Sequence, residues 1–383
     1  MERVRLARAR RRVPRRIAIT GTRGKSDVTR LVAAGLRASG ARVLAKTTGS
    51  RPILILPDGS EREIARPGPA SIREQIRLVE LAASSGAETL VTELMSIGAE
   101  CLAAESRRIL RPSVLAVTNV RLDHLEEMGR EKAAVARSLA EAVPCGAEIF
   151  IPAEEFYPVF GEAALRRGSR LHPVAGEGDG RRVDGEKDLP PGEFEPNRRL
   201  ARAVLRSLGV GEPAIDRGFR EAAPDPGRLR IWRGMYGRPP RPAVCVALFA
   251  ANDPESSAAA LAKVLAAVPR GGRPLAGLLC LREDRGDRTL QWVEAAGRGF
   301  FSDFSSVLLA GPPARAALRL VRRRLGTAGP EVARVKGRTP EDLMSRVLSS
   351  LPVEPVVVGL GNFIGPGDEI SRYWQSVGAE YDA

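Results

Sequence analysis

The chain has 383 residues, of which 43% are hydrophobic and 28% charged, as expected for an ordinary soluble globular protein of two or three domains. No apolar run approaches the roughly 18 residues that a membrane helix needs, and no apolar core follows the basic start, so we expect neither a membrane span nor a signal peptide. The cysteines (Cys101, Cys145, Cys245 and Cys280) form no C-x-x-C pair, which argues against a zinc site or a disulfide framework and for a reducing cytoplasm.

The formal net charge of +14 favours acidic partners such as nucleic acid, anionic lipid or a polyanionic substrate. Aromatic residues make up only 4%, and no basic–aromatic alternation resembles a base-stacking surface, so no nucleic acid is expected. Eight of the first sixteen residues are arginine, which predicts a disordered or helical basic arm over residues 1–15. Such an arm either holds the protein at the inner face of the cell membrane or only keeps it soluble, and the sequence leaves both open.

The first strong motif follows this arm. An apolar strand over Arg16–Thr20 leads into a glycine-containing turn, a lysine and a hydroxyl residue, and then a helix over Lys25–Ser39. Backbone N–H groups of such a turn, with the positive end of the following helix, form a phosphate cradle. Lys25 is placed to reach the β- and γ-phosphates of a nucleotide, and Ser26 to bind Mg²⁺.

The turn departs from the common P-loop at one position. A P-loop has a glycine five residues before its Gly-Lys pair, where this chain has Ile19, although Gly21 and Gly24 remain. The turn is therefore either a shortened phosphate loop or a structural connection between a strand and a helix. The strand, the Gly-Lys-Ser sequence and the apolar periodicity of the helix together favour nucleotide phosphate.

Strands and helices alternate along the rest of the first half, which predicts a parallel sheet of the α/β class. The further predicted strands are Arg42–Lys46, Thr89–Thr92, Val114–Thr118 and Glu148–Ile151. The further predicted helices are Ser71–Ser84, Glu100–Leu110, Glu131–Ala142 and Asn197–Leu208. Residues 173–192 are rich in glycine, proline and charge, which predicts a surface loop.

A domain boundary is predicted near residues 224–228, Pro-Asp-Pro-Gly-Arg, after which the alternation restarts. The predicted strands are Ala243–Ala250, Leu275–Leu281, Ser306–Ala310, Val332–Val335 and Val356–Gly359. The predicted helices are Pro254–Ala267, one from Thr289, Ala314–Leu325, Pro340–Leu351 and a last one after Gly367. These five strands with interleaved helices predict one complete doubly wound domain over residues 228–383, which follows a P-loop domain over residues 16–227.

Polar residues follow two apolar strands of the first domain. Glu93 closes the strand at Thr89–Thr92, and Asp123 and His124 follow the strand at Val114–Thr118. Ligands of an open α/β sheet bind outside the carboxyl ends of its strands, and carboxylates and histidine suit Mg²⁺ there. A helix-capping role for Glu93 and a surface ion pair for His124 are the structural alternatives.

Motifs in both domains resemble the Mur-ligase superfamily, and within it the ATP-dependent amide ligase subunit of poly-γ-glutamate synthase, the PgsB/CapB family. The resemblance runs from about Arg16 to the C-terminus, in family order and spacing. The motifs of the first domain are Gly-Thr-Arg-Gly-Lys-Ser (21–26), Lys-Thr-Thr-Gly (46–49), Glu93, Asn-x-x-x-Asp-His (119–124) and Asp-Pro-Gly (225–227). Those of the second domain are Phe-Ala-Ala-Asn-Asp (249–253), Arg-x-Asp-Arg-x-Asp-Arg-Thr (282–289) and Gly-Leu-Gly-Asn (359–362).

The resemblance implies a fold and a reaction. The fold is a Mur-ligase-like central domain with a P-loop and a parallel-rich sheet, followed by a C-terminal doubly wound, Rossmann-like ligase domain. In such ligases ATP phosphorylates a carboxylate to an acyl phosphate, and an amine then displaces phosphate to leave an amide. Because two anions, ATP and a carboxylate, must be brought together, the site needs Mg²⁺ and fixed positive groups.

The resemblance also implies roles for residues at the cradle. Lys25 would hold the β- and γ-phosphates, and Ser26 with Glu93 would bind a first Mg²⁺. His124 would bind a second Mg²⁺ that bridges the γ-phosphate and the acyl carboxylate. Many peptidoglycan ligases also carry a modified lysine near the second metal, and residues 145–151 contain no lysine.

Other roles implied by the resemblance lie further along the chain. Asn197 would contact adenine, and Arg228 would reach phosphate from the domain junction, so that the predicted catalytic residues are Lys25, His124 and Arg228. The remaining predicted nucleotide contacts are Thr22, Arg23, Gly24, Asp27 and Asp253. The predicted substrate contacts are Lys46, Thr47, Thr48, Arg282, Arg285 and Arg288, and the alternative for the three arginines is a solvated cluster after a strand.

The sequence therefore predicts a cytoplasmic two-domain ligase that uses ATP and Mg²⁺ to extend a γ-linked glutamate polymer, with a homo-oligomer left open. The best-known members of the family begin with an apolar membrane segment, whereas this chain has the arginine arm. Recruitment to the membrane is accordingly expected from that arm or from membrane-embedded synthase subunits.

Three alternatives to this function stay open. The first keeps the chemistry and changes the substrate, as in folate polyglutamylation or another acidic amino-acid ligation. The second is a P-loop NTPase or binding module that uses its arginine surface on nucleic acid. The third is a non-catalytic scaffold within a membrane synthase.

Overall fold

The computed structural model of the chain contains two compact units, one up to residue 225 and one from residue 229. The described residues are 2–49, 52–66, 70–176, 195–225, 229–268, 271–327, 329–351 and 354–381. Each unit is built around one sheet, with helices on its faces. Among the described residues, no helix combines the length and the apolar character that crossing a bilayer would require.

The first unit contains an eight-stranded sheet. Its strands are β1 (Arg15–Thr20), β2 (Val43–Thr47), β3 (Ile53–Ile55), β4 (Glu61–Glu63), β5 (Thr89–Glu93), β6 (Val114–Val117), β7 (Glu148–Pro152) and β8 (Arg170–Val174). The order across the sheet is β4-β3-β2-β5-β1-β6-β7-β8, with β3 and β4 antiparallel at one edge and the other strands parallel. The central strands β1, β2, β5 and β6 are almost wholly buried, as strands covered on both faces must be.

Helices cover both faces of this sheet. They are α1 (Glu2–Arg12), α2 (Lys25–Ala38), α3 (Arg73–Ser84), α4 (Ala99–Ala103), α5 (Leu125–Met128), α6 (Lys132–Ala140), α7 (Pro158–Arg166), α8 (Glu195–Ser207) and α9 (Glu212–Glu221). The helix predicted at Glu100–Leu110 is α4 followed directly by a π-helical segment, Ala104–Leu110. The apolar positions that predicted α2 are buried, and α2 packs against α8 and α9.

The basic N-terminal segment is helical, which was one of the two predicted alternatives. Leu6 and Ala9 of α1 are buried in a cluster shared with Leu78 of α3. Most arginines of α1 are exposed, whereas the Arg16 guanidinium just after the helix donates to the carbonyl of Leu110 at 2.8 Å. Two buried apolar side chains and this anchored arginine therefore fix the segment to the first unit.

A close helix contact provides a test of packing in this unit. A Cβ built on Gly218 of α9 would lie 2.5 Å from the Cα of Gly35 in α2 and 2.6 Å from its backbone N. Because backbone atoms cannot move aside as a flexible side chain can, Gly218→Ala is expected to lower the free energy of unfolding by about 1–3 kcal/mol. Urea denaturation followed by circular dichroism measures this loss.

Gly161 is the matched control for this substitution. It also lies inside a helix, α7, but the nearest atom to its built Cβ is Cζ of Phe156 at 3.9 Å. Gly161→Ala should therefore stabilise the protein by up to about 1 kcal/mol, because alanine favours a helix and restricts the unfolded chain. Equal losses at the two positions would contradict the explanation by helix contact.

The second unit contains a seven-stranded sheet. Its strands are β9 (Arg230–Tyr236), β10 (Arg241–Ala247), β11 (Leu275–Cys280), β12 (Ser306–Ala310), β13 (Glu331–Arg334), β14 (Val356–Gly361) and β15 (Ala379–Glu380). The order is β13-β12-β11-β14-β10-β9-β15, in which β9 and β15 are antiparallel and the others parallel. Its helices are α10 (Pro254–Ala267), α11 (Gly286–Gly297), α12 (Ala314–Leu325), α13 (Pro340–Ser349) and α14 (Asp368–Val377).

The predicted fold class is confirmed, namely α/β with a parallel-rich P-loop domain and a doubly wound domain after it. The predicted count of five strands in the second unit was wrong, because β9 and β15 add an antiparallel edge. The sequence also missed β3, β4, β8, α5, α7 and α9. The predicted surface loop at 173–192 begins too early, since Pro173 and Val174 belong to β8, and residues 177–192 lie outside the described part.

Candidate functional site

The candidate site lies at the carboxyl ends of three adjacent strands. Strand β1 lies between β5 and β6, with Ile19 paired to Glu93 and Thr20 paired to Val117. The loop after β1, the last residue of β5 and the segment after β6 therefore meet at one edge of the sheet. This edge is where open α/β sheets bind ligands.

Two glycines shape the loop between β1 and α2. Gly21 has a φ of 119° and Gly24 a φ of 76°, which L side chains rarely adopt. A Cβ on Gly21 would lie 2.2 Å from Oγ1 of Thr118, and one on Gly24 would lie 2.7 Å from both polar atoms of the Asn197 amide. Gly24 caps α2 without a side-chain hydrogen bond, so the first N–H groups and the helix dipole favour an anion there.

The residues after β6 hold this loop by hydrogen bonds. Oδ1 of Asn119 accepts from Oγ1 of Thr22 at 2.7 Å and from the backbone N–H of Arg23 at 3.0 Å. Oγ1 of Thr118 donates to the Arg23 carbonyl at 2.6 Å. The sequence analysis counted Thr118 as the last residue of a strand and Asn119 as the first residue of a family motif, and it predicted no contact of either with the loop.

Lys25 folds back over the loop. Its Nζ donates to the carbonyl of Gly21 at 2.7 Å and to that of Thr22 at 3.3 Å. Burial lowers the pKa of Lys25, and the negative charge of Glu93 opposes this shift. The ammonium group is thus held by two neutral carbonyls beside the start of α2, where the helix dipole favours an anion.

Glu93 is fully buried, at 0% exposure, beside the start of α2. Oγ1 of Thr48 donates to its Oε2 at 2.7 Å. Burial raises the pKa of Glu93, while the charge of Lys25 and the hydroxyls of Ser26 and Thr48 lower it. Within the described residues its Oε1 has no hydrogen-bond partner, which is costly for a buried oxygen unless a ligand completes the site.

The Lys-Thr-Thr-Gly segment at the end of β2 lies next to this carboxylate. A Cβ on Gly49 would lie 2.5 Å from Oγ of Ser26, so glycine allows the segment to pass close to the cradle. Lys46 is only 1% exposed, and its Nζ lies 3.1 Å from Oε2 of Glu74. Burial lowers the pKa of Lys46. Of the three predicted substrate contacts here, Lys46 and Thr47 are buried, and their role stays a prediction.

Asp123 and His124 lie together after β6. The Arg23 guanidinium donates to Oδ2 of Asp123 at 2.7 Å, and the His124 backbone N–H donates to its Oδ1 at 2.9 Å. His124 has a φ of 46° and precedes α5. In the part of the chain that the structure describes, no three His, Cys, Asp or Glu side chains form a ready metal site, so the second Mg²⁺ stays a prediction.

Two of the predicted nucleotide contacts in the first unit, Asn197 and Asp27, are hydrogen-bonded to each other. Nδ2 of Asn197, on α8, donates to Oδ2 of Asp27, in the first turn of α2, at 2.8 Å. The structure thus brings both residues to the end of the helix that the cradle precedes. Arg228, predicted as a catalytic residue, lies outside the described residues.

The predicted residues of the second unit lie at or near the starts of α10 and α11. Asp253 caps α10 by accepting from the backbone N–H of Ser256 at 2.9 Å. Arg288 is fully buried and donates to the carbonyl of Asn252, which has a φ of 62°. This arginine therefore supports the turn before α10.

The other two arginines of this cluster pair with nearby aspartates. Arg282 donates twice to Asp284, at 2.9 and 2.5 Å, and Arg285 lies 3.3 Å from Oδ1 of Asp287. The contact of these arginines with an acidic substrate stays a prediction.

Comparison with known proteins gives a family match in each of the two units. The family model for the Mur ligase middle domain matches residues 19–144, and the model for the poly-gamma-glutamate synthase CapB C-terminal domain matches residues 235–377. The capsule biosynthesis protein CapB of Bacillus anthracis is 28% identical over 362 residues, which cover 94% of this chain and 76% of that protein. PGA synthase CapB of Bacillus subtilis (strain 168) is 28% identical over 285 residues, covering 73% and 71%.

Solved structures share the fold. FolC of E. coli, solved in complex with DHPP and ADP, matches with a TM-score of 0.65 at 19% identity, covering 98% of this chain and 92% of that one. The two family models match the chain in the order in which the motifs predicted the two domains. The predicted resemblance to the Mur-ligase superfamily and, within it, to the CapB proteins is therefore confirmed.

Proposed function

We propose that this protein is an ATP-dependent amide ligase that activates a carboxylate as an acyl phosphate, releases ADP, and joins the acyl group to an amino-acid amine. Its proposed product is a γ-linked glutamate polymer. The observation that carries this proposal is the braced loop from Gly21 to Ser26 with the buried carboxylate of Glu93 beside it. The names of the two CapB relatives support the polymer as product.

The residues at this edge fit a nucleotide and a divalent metal. The loop N–H groups and Lys25 would hold the phosphates, and the oxygens of Ser26 and Glu93 suit Mg²⁺. When bound, Mg²⁺-ATP supplies the phosphoryl group and neutralises charge on its oxygens. Lys25 contributes a fixed positive charge, while Thr118 and Asn119 keep the loop in shape without ligand.

Two observations bear on the substrate and the location. The net charge of +14 suits a polyanionic product, and the exposed arginines of α1 suit an anionic surface. We therefore infer that the enzyme works at the inner face of the cell membrane with membrane-embedded synthase subunits. A folylpolyglutamate-type ligase is the alternative substrate class, favoured by the fold shared with FolC.

Release of ADP and phosphate from a panel of substrates tests the function. Glutamate or γ-glutamyl oligomers should stimulate Mg²⁺-dependent release, and folate substrates should not. Stimulation by folates would favour the alternative ligase, and stimulation by RNA or DNA alone would favour a nucleic-acid-dependent NTPase. ADP binding without turnover on any substrate would indicate a scaffold.

The glycine at the start of α2 gives a sharper test of the cradle. Gly24→Ala is expected to weaken ADP binding at least tenfold, roughly 1.4 kcal/mol, because its Cβ meets the Asn197 amide and its φ is unfavourable for alanine. Gly40, at the other end of α2, has a φ of 92°, and no atom of the described residues lies within 4 Å of a Cβ built on it. Gly40→Ala should therefore cost stability alone, and calorimetric titration with ADP separates the two effects.

A further inference from the structure

A second buried carboxylate supports the segment that follows Glu93. Glu105 lies in the π-helical segment Ala104–Leu110 and is 0% exposed. Its oxygens accept from Nε2 of Gln75 at 2.7 Å and from the backbone N–H groups of Met95 and Ser96, each at 2.9 Å. One side chain thus holds Met95 and Ser96, the second and third residues after the strand end at the candidate site.

Gln75 connects this carboxylate to Glu93 itself. Its Nε2 also donates to the backbone carbonyl of Glu93 at 2.9 Å, and its Oε1 accepts from Oγ1 of Thr92 at 3.2 Å. Both hydrogens of the Nε2 group and its carbonyl oxygen are therefore engaged. Gln75 is 0% exposed and comes from α3, so the network links α3, β5 and the π-helical segment.

The backbone that carries Glu105 departs from a regular α-helix. The π-helical segment ends with a bond from the Arg111 N–H to the Ser106 carbonyl at 2.7 Å, and Arg111 has a φ of 47°. Such wide turns occur often at functional sites. A buried carboxylate costs stability unless it is well hydrogen-bonded, and apolar residues of similar volume are often no worse for stability. A role in fixing the geometry of the loop explains why a charged group occupies this position.

We propose that Glu105 and Gln75 are positioning residues, which fix the backbone at Glu93 and the turn after it so that the Glu93 carboxylate stays directed at the start of α2. This inference rests on the proposed function, in which Glu93 holds a divalent metal beside the nucleotide. Glu105 and Gln75 contact the Glu93 backbone and the turn, so they act through Glu93 and are not themselves ligands.

Glu105→Gln tests the proposal with little change in volume. Its amide would direct N–H hydrogens at backbone N–H donors, so at least one of the contacts to Met95 and Ser96 is lost. We expect faster amide hydrogen exchange at these two residues and a half-saturating Mg²⁺ concentration for ADP binding about tenfold higher. Gln75→Met removes the link to the Glu93 carbonyl and should raise the same Mg²⁺ concentration, which keeps the test open if Glu105→Gln does not fold.

Ser106→Ala is the matched control. Ser106 is the next residue in the same segment, fully buried, and its hydroxyl donates to the Ala142 carbonyl at 2.5 Å, away from β5. It should lower the melting temperature and leave the Mg²⁺ dependence unchanged. If all three variants lost stability alike and kept the wild-type Mg²⁺ dependence, the positioning role would be refuted. If wild-type protein bound no ADP with Mg²⁺, the proposed function would fail, while hydrogen exchange would still decide whether Glu105 fixes the turn.

Discussion

Replacing Lys25 with alanine is expected to lower ADP release roughly 10²–10³-fold, the usual cost of removing one fixed donor from a developing negative charge. The ammonium group of this side chain lies over the loop, 2.7 Å from the Gly21 carbonyl. A phosphate bound at the N-terminus of α2 would lie within its reach. Steady-state assays of phosphate release at saturating Mg²⁺ measure this loss.

A second variant at Lys25 separates the effect of charge from that of packing, and a lysine in the second unit serves as the control. Lys25→Met keeps most of the side-chain volume without the charge and should lose activity as Lys25→Ala does. Lys336→Ala removes an exposed lysine from the second unit and should leave the rate unchanged. If both Lys25 variants kept turnover within threefold of wild type, the proposed role of the loop and Lys25 in phosphoryl transfer would be wrong.

The cradle was predictable because its signals are local. Gly21 and Gly24 take conformations that favour glycine, and the helix after them has a clear apolar face. The structure also explains the position where a P-loop glycine was expected. Ile19 is a fully buried strand residue paired to Glu93, so the turn starts only at Gly21 and is short.

Other parts of the site could not be read from the sequence because they depend on distant partners. Gln75 and Glu105 are 30 residues apart and meet only when α3 and the π-helical segment pack beside β5. Lys46 was a candidate substrate contact, but its neighbour Glu74 comes from α3, and no local pattern indicates that pair. Buried polar networks of this kind arise from tertiary packing.

Strands at a sheet edge or next to one were missed for a different reason. β8 contains Pro173, which argues against a strand in the middle of a sheet but is tolerated at an edge. β9 alternates irregularly and contains arginine and glycine, so its pattern is typical of neither a buried strand nor an amphipathic one. Only its pairing with β10 and β15 shows it as a strand.

The proposed metal role of Glu93 makes a second prediction with a large effect. Glu93→Gln keeps the shape and an acceptor for Thr48 but removes the negative charge. The half-saturating Mg²⁺ concentration for turnover should rise more than tenfold, and the rate at low Mg²⁺ should fall about 10²-fold, since a charged oxygen ligand is lost. Calorimetric titration with ADP, in Mg²⁺ and in EDTA, measures the binding side of this effect.

The expected effect of Glu93→Gln on ADP affinity differs between the two titrations: the affinity should fall in Mg²⁺ but not in EDTA. In EDTA, ADP should bind Glu93→Gln as well as wild type or better, because a buried negative charge near the phosphates has been removed. Thr48→Val, which deletes only the hydroxyl that orients Oε2, should shift the Mg²⁺ dependence in the same direction but by less. A loss of ADP affinity in EDTA would mean that the cradle itself had collapsed, and Glu93 would then be a structural residue of the loop instead of a metal ligand.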